Sequence, residues 1–291
     1  MKSYLFIISI LTSILLCNCN KEDDITAEIV PYKREHMYDT NSSDPVLKFV
    51  SQYYYRYGHF FITDPDSSDY IFNFGTILSG TKDQVDFVYP TQEQEHLMKG
   101  VQMVKTLLLD SYNQEFIKKH FPYSIVLADN ITDIAWEETT DYYLGIYYCI
   151  FRIQDTENME PEGKNYIAAK LNENIWSYMA TNENVPSLPA GFYQFGEGLY
   201  GTFGGMISED AMYGKGFTGS TLPGELEDFI LRYPTKGQDI GKWIKFLILT
   251  PDEEIERLVN KYEAMRVKYN LLTKALKEMG IDYKKLRYTE K

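Results

Sequence analysis

Hydrophobic residues recur along the chain at two spacings, and each spacing predicts its own kind of element. Asp44-Pro45 opens a helix, since an aspartate can accept from the free N–H groups of a first turn and proline suits the first helical position. Val46, Leu47, Val50, Tyr53 and Tyr54 then follow three and four residues apart, which lines one helix face. Thr91, with Gln94 three residues on, predicts a capped second helix whose buried stripe is Leu97, Met98, Val101, Val104 and Leu108. A third runs from Asn113 to His120 and stops ahead of Pro122, because proline pushes its predecessor out of the helical region. Asn165 to Ala180 is a fourth, with Ile167, Leu171, Ile175 and Met179 stepping by four.

Shorter apolar runs read as strands: His59 to Ile62 and Asp69 to Phe74, parted by the turn Asp64-Pro65-Asp66-Ser67-Ser68, then Ser124 to Leu127 and Asp141 to Phe151. Ten glycines between Gly191 and Gly224 make residues 186–224 mostly loop. Three helices are expected to close the chain: Glu225 to Tyr233, Asp239 to Leu249, and a long one from Pro251 to about Met279. For the last, Thr250 is read as the cap and Glu253 as completing the capping box. No repeat of 20–50 residues and no composition break divides this pattern. It predicts a single α+β domain over 44–291, with a small sheet and several helices.

Composition narrows the function classes. Of 291 residues 44% are hydrophobic, enough for a sizeable core, and 24% charged with 15% aromatic is not the make-up of a disordered chain. A net charge of −13 argues against nucleic acid as a partner, because phosphate recognition needs a basic surface. Beyond residue 20 no run reaches the ~18 apolar residues of a membrane helix. Four histidines are few for a metalloenzyme.

The first residues carry an address. Met1-Lys2-Ser3 is a positive start, and Tyr4 to Leu16 is an apolar stretch of signal-peptide length. Leu16-Cys17-Asn18-Cys19 then resembles a bacterial lipobox, with Leu16 three residues before the acceptor Cys19 and Cys17 as the rival acceptor. No Ala-x-Ala-like site for ordinary cleavage is present, so residues 1–18 are read as a lipoprotein signal and 19–43 as an acylated cysteine with a polar tether. Acyl chains on Cys19 would anchor the protein without a spanning helix. Asn20-Lys21-Glu22-Asp23-Asp24 looks like the surface-export signal of Bacteroidota lipoproteins, which implies the outer membrane and its outer face. Cys149 is then the sole remaining thiol, so no intramolecular disulfide is available, and its apolar neighbours suggest a small core hydrophobe.

Phe116-Ile117-Lys118-Lys119-His120-Phe121-Pro122, placed before Ile125-Val126-Leu127, resembles a unit of a Bacteroidota lipoprotein family. These are the zinc-binding metallopeptidases also described as substrate-import-associated zinc metallohydrolases. In that family the unit precedes further strands and a helix bearing His-Glu-x-x-His, then a Gly-rich segment, a Glu-Asp-Phe on a helix and a long C-terminal helix. Gly214-Lys215-Gly216-Phe217, Glu227-Asp228-Phe229 and Gly280-Ile281-Asp282 follow in the same order here. The resemblance covers roughly residues 45–290 and implies a zincin-like domain.

The departure falls on the metal motif. The matching segment reads Asn172-Glu173-Asn174-Ile175-Trp176. In an active zincin two histidines a turn apart bind zinc while the glutamate works on its water. Asn is a poor zinc ligand and the indole of Trp offers no lone pair to a metal. On the resemblance, Glu173 is a vestigial catalytic candidate and Glu227 the counterpart of the third ligand, with Asp228 beside it. Asn172, Trp176, Glu227 and Asp228 become candidate binding residues. The family's zinc is expected to be missing with its ligands.

Two readings follow. One is a non-catalytic surface lipoprotein that holds a peptide or glycan, or supports a TonB-dependent importer, with tyrosine clusters such as Tyr53-Tyr54-Tyr55 and Tyr142-Tyr143 as candidate platforms. The other is a metallohydrolase with a rearranged site that draws His120 or His96 together with Glu173 and Glu227.

Overall fold

The computed structural model describes residues 39–66, 69, 85–133, 138–145, 148–154, 159–181, 188–204, 208–218 and 232–288. All described residues belong to one compact unit within His36–Lys291. Cys19, Glu227 and Asp228 lie outside the described residues, as do the strand expected over 70–74 and most of the helix expected from Glu225.

Helix α1 (Pro45–Tyr57) starts as its sequence dictates. Asp44 Oδ1 accepts from the N–H groups of Val46 (2.8 Å) and Leu47 (3.3 Å), and Gly58 ends the helix in the left-handed region (φ 73°), where a Cβ is costly. The chain continues through β1 (Phe60–Ile62), β2 (Val85–Val88), α2 (Gln94–Leu107), α3 (Gln114–His120), β3 (Ser124–Ala128), β4 (Asn130–Asp133) and β5 (Glu138–Thr139). Then come β6 (Tyr142–Leu144), β7 (Tyr148–Arg152), α4 (Pro161–Thr181), α5 (Glu209–Gly214), α6 (Lys236–Leu249), α7 (Asp252–Lys261) and α8 (Glu263–Glu278).

Two small sheets form, which makes the fold α+β. In the first, β1, β3 and β7 run parallel and β6 closes the order β1-β3-β7-β6 antiparallel to β7. Its register sets Phe61, Ile125 and Cys149 side by side, then Ile62, Val126 and Ile150. All six are buried, as expected of parallel strands covered on both faces. The second sheet is antiparallel, in the order β2-β4-β5.

Five expectations are corrected. Thr91 does not cap α2: its backbone N–H (2.9 Å) and its hydroxyl (2.7 Å) both donate to Asp129 Oδ2, and Glu93 takes the cap position with no side-chain bond. The run 141–151 is not one strand but β6 and β7, whose register joins Leu144 to Cys149 around Gly145. Arg232 and Tyr233, expected at a helix end, are extended, with Arg232 bridging to Phe203. The long closing helix breaks at Tyr262, whose backbone is extended (φ −118°, ψ 123°). There the Tyr262 hydroxyl donates to Asp210 on α5, and Lys261 Nζ reaches the same carboxylate at 2.6 Å. Thr250 caps the end of α6 rather than the start of α7.

The most extensive helix–helix contact among the described residues joins α4 and α6. Two glycines one turn apart, Gly237 and Gly241, let the backbones approach. A Cβ at Gly241 would lie 2.2 Å from the Glu173 carbonyl oxygen, and one at Gly237 would lie 2.6 Å from Thr181 Oγ1. This contact fixes how α4 presents the candidate residues.

Candidate functional site

Helix α4 carries Asn172, Glu173 and Trp176, and packing turns them in two directions. Asn172 and Trp176, one turn apart, face the core and are fully buried. Both bind a single hydroxyl from the turn after α2: Trp176 Nε1 donates to Tyr112 Oη at 2.8 Å, and Tyr112 donates to Asn172 Oδ1. Asn172 Nδ2 donates back to the Ala168 carbonyl at 2.7 Å. Burial raises the pKa of the Tyr112 hydroxyl, with its bond from Trp176 opposing, so it stays protonated and able to play both roles. Phe116 completes the cluster, stacked on Tyr112 (4.9 Å between centroids) and tilted against Trp176 (5.5 Å). The amide oxygen where the resemblance looks for a ligand is therefore already bonded inside a packed core.

Glu173 points the other way. Its Oε1 lies 3.2 Å from Lys242 Nζ, and its Oε2 lies 3.5 Å from Lys245 Nζ and 3.9 Å from Lys170 Nζ. Burial alone would raise the pKa of this carboxyl, but Lys242, Lys245 and Lys170 together overcome that and hold it below the usual glutamate value. The group is thus a carboxylate surrounded by ammoniums rather than a base facing open solvent. Beside it, the Tyr142 hydroxyl pairs with Asn174 Nδ2. A carboxyl whose pKa is lowered on folding adds stability above its unfolded pKa, and that stability is lost as pH falls through the folded value. The stability advantage of the wild type over Glu173→Gln in urea titrations is expected to be full at pH 7 and to shrink below about pH 4. A constant difference from pH 7 to pH 3 would remove the ion pairs as its cause.

His96 and His120, the histidines weighed for a rearranged site, do not join these groups. His96 Nε2 lies 2.6 Å from Asp129 Oδ1, past the end of β3. His120 is buried with its ring against Phe116 (4.8 Å), at the wall of an open groove of about 610 Å³ lined also by Asn113, Gln114, Lys119 and Met279. Asn172, Glu173 and Trp176 do not line that groove. Among the described residues no three His, Cys, Asp or Glu side chains gather where they could hold a metal ion. Cys149 is fully buried in β7 and its thiol is pushed up to about 12 by burial, so it is a protonated core group and not a nucleophile.

Sequence reasoning missed Tyr112, Lys242 and Lys245. Lys170 had a local signal, its i,i+3 spacing to Glu173; the other three reach α4 from about 60 or more positions away. Of the expected aromatic platform Tyr53-Tyr54-Tyr55, Tyr53 is buried and Tyr55 exposed; Tyr54 and Tyr55 join Phe60 and the exposed Tyr123, which the sequence did not single out, in one ring cluster. That cluster lies by β1, at the far end of the sheet from β6 and Glu173.

The architecture is a metallopeptidase-like α+β fold. Its likeness is to a solved structure, described as a "putative zinc-binding metallo-peptidase" from Bacteroides caccae, with a TM-score of 0.53 and 16% identity over 82% of this chain and 87% of that one. No family model and no curated protein matches the sequence. The likeness invites zinc, but the α4 residues do not fit it: Asn172 is committed to Tyr112 and Ala168, Trp176 has no lone pair to give, and Glu173 faces three cations.

Proposed function

We propose that this chain is a surface-exposed outer-membrane lipoprotein, anchored through Cys19, whose metallopeptidase-like domain acts without peptidase chemistry in ligand binding or nutrient import. One observation carries the loss of catalysis: the two positions that should ligate zinc form a buried hydrogen-bonded set with Tyr112, while Glu173 is claimed by lysines. Catalytic zinc sites use about three protein ligands and leave one position open, and a glutamate ringed by ammoniums has no metal-bound water to activate. The lipobox and the acidic stretch after it support the anchor and the outer face. A peptide or glycan is the ligand class, and TonB-dependent importer components are the expected neighbours. The exposed rings of Tyr55 and Tyr123 support a binding role, since amphipathic aromatics favour such surfaces.

The test is zinc content after incubation with zinc and desalting, followed by peptidase assays of the wild type and of Glu173→Gln. Near-zero zinc and no activity above the variant are expected. About one zinc per chain, the stoichiometry of a mononuclear site, together with activity lost in Glu173→Gln, would overturn the proposal.

A further inference from the structure

We infer that Lys170, Lys242 and Lys245 form a binding site for an acidic saccharide, with the ammoniums taking a uronate carboxylate and the Tyr166 ring taking the sugar face. The inference rests on the non-catalytic ligand-binding function proposed above and names the chemistry of that ligand.

The first argument is charge. Three ammoniums converge on one carboxylate, at 3.2, 3.5 and 3.9 Å, so the cluster keeps two positive charges in a chain whose net charge is −13. Among the described residues no second carboxylate lies within ion-pair distance of any of the three. A basic site in an acidic protein concentrates anionic ligands locally.

The second argument is access. Glu173 is the least exposed of the four, its side chain 12% exposed, while the side chains of Lys170, Lys242 and Lys245 keep 27%, 15% and 21%. Each ammonium has three donors, and pairing with Glu173 does not consume them all. All three lysines therefore reach solvent in part and keep donors beyond those turned to Glu173. Glu173 has a role under this reading: it holds the three lysines together in the absence of ligand.

The third argument is the neighbouring ring. Tyr166, one turn before Lys170 on α4, is about half exposed, and Lys170 Nζ stands 5.7 Å from its centroid. A uronic acid unites an anionic group with a C–H face able to lie on an aromatic ring, which matches a cation beside an exposed tyrosine. An acidic peptide satisfies the lysines but leaves the ring unused.

Isothermal titration of the purified chain at low salt tests this, with trigalacturonate as probe, maltotriose as the neutral control and triglutamate as the peptide control. Trigalacturonate alone is expected to bind, and to bind more weakly as salt screens the lysines. Lys242→Ala and Lys245→Ala should each weaken it roughly tenfold, the loss of one charge-assisted contact, with a single cooperative melting transition, even at lower Tm, showing that both variants fold. Lys245→Arg should restore most of the affinity, and Tyr166→Ala should weaken trigalacturonate binding. No trigalacturonate binding, or equal binding by wild type and both alanine variants, overturns the site. Triglutamate binding as well as trigalacturonate overturns the saccharide assignment in favour of a peptide. Zinc content and peptidase activity of the same preparation separate the failures. An active zinc enzyme would end the non-catalytic reading, whereas an inert zinc-free chain that ignores trigalacturonate would end only this inference.

Discussion

Gly241→Ala is expected to destabilise the protein by about 3 kcal/mol, which lowers Tm by roughly 6–12 °C in a domain of this size. On an isolated helix the same change would help by about 1 kcal/mol, since alanine is the better helix former. The difference is the neighbour. A Cβ at Gly241 would lie 2.0 Å from Ser177 Oγ and 2.2 Å from the Glu173 carbonyl oxygen. The hydroxyl can rotate away, although it would give up its 2.7 Å bond to that same carbonyl. The carbonyl belongs to the backbone of α4 and cannot move alone. The two helices must therefore part, which loosens the packing of Trp176, Ile240, Trp243 and Ile244, all buried within one core, and lengthens the ion pair of Lys242 with Glu173. Gly214→Ala is the control, because a Cβ there meets nothing within 4 Å; it should leave Tm within about a degree. Equal Tm values for Gly241→Ala and wild type in a calorimetric scan would show that α4 and α6 are less tightly apposed than the geometry requires.

What could be read from the sequence was what neighbours along the chain decide. Asp44 caps its helix as expected, since a cap acts over three residues, and Asn113, at the expected start of the third helix, caps that one. The stripe Ile167, Leu171, Ile175 and Met179 is buried on α4 as its spacing demands. That Asn172 and Trp176 are poor zinc ligands is a matter of side-chain chemistry and needs no structure. The failures came from distant partners. Nothing local marks a helix break at Tyr262, which has neither glycine nor proline beside it; Asp210, about fifty residues earlier, provides the competing bonds. Thr91 had a cap's sequence, yet Asp129 took both of its donors. Glu173 looked like a remnant base, and its real surroundings depended on Lys242 and Lys245, which only the close approach permitted by Gly241 brings near. Gly145, by contrast, was a visible sign of the β6–β7 turn within a run read as one strand.

Lys268→Met is expected to cost about 3–5 kcal/mol, the penalty of breaking a buried ion pair by removing one partner. Lys268 and Asp239 are 0% and 1% exposed and meet at 2.5 Å; the Tyr200 hydroxyl donates to the same carboxylate oxygen at 2.8 Å. The ammonium stands 4.5 Å from the Phe192 ring centre, 4.9 Å from that of Phe217 and 5.9 Å from that of Trp243. Gly216 lies against the lysine stem with φ 77°, where a Cβ would be 2.6 Å from Lys268 Cδ, and Trp243 Nε1 donates to its carbonyl at 2.9 Å. One lysine on α8 thereby ties part of the glycine-rich segment to α6. Burial opposes charge on both partners: it raises the pKa of Asp239 against the pull of Lys268 and lowers that of Lys268 against the pull of Asp239. Because the pair is retained against that desolvation, the double variant Asp239→Leu/Lys268→Met should recover much of the single variant's loss. The pH dependence supplies an independent check. In Lys268→Met the buried Asp239 has a raised pKa and no paired cation, so its contribution is present at low pH and lost as pH rises through the folded value. Urea midpoints for Lys268→Met should therefore approach those of the wild type on going from pH 8 to pH 5, while the double variant shows no such approach. A single variant as stable as the wild type at pH 8 would mean that the aromatic ring set, and not the ion pair, holds this part of the core.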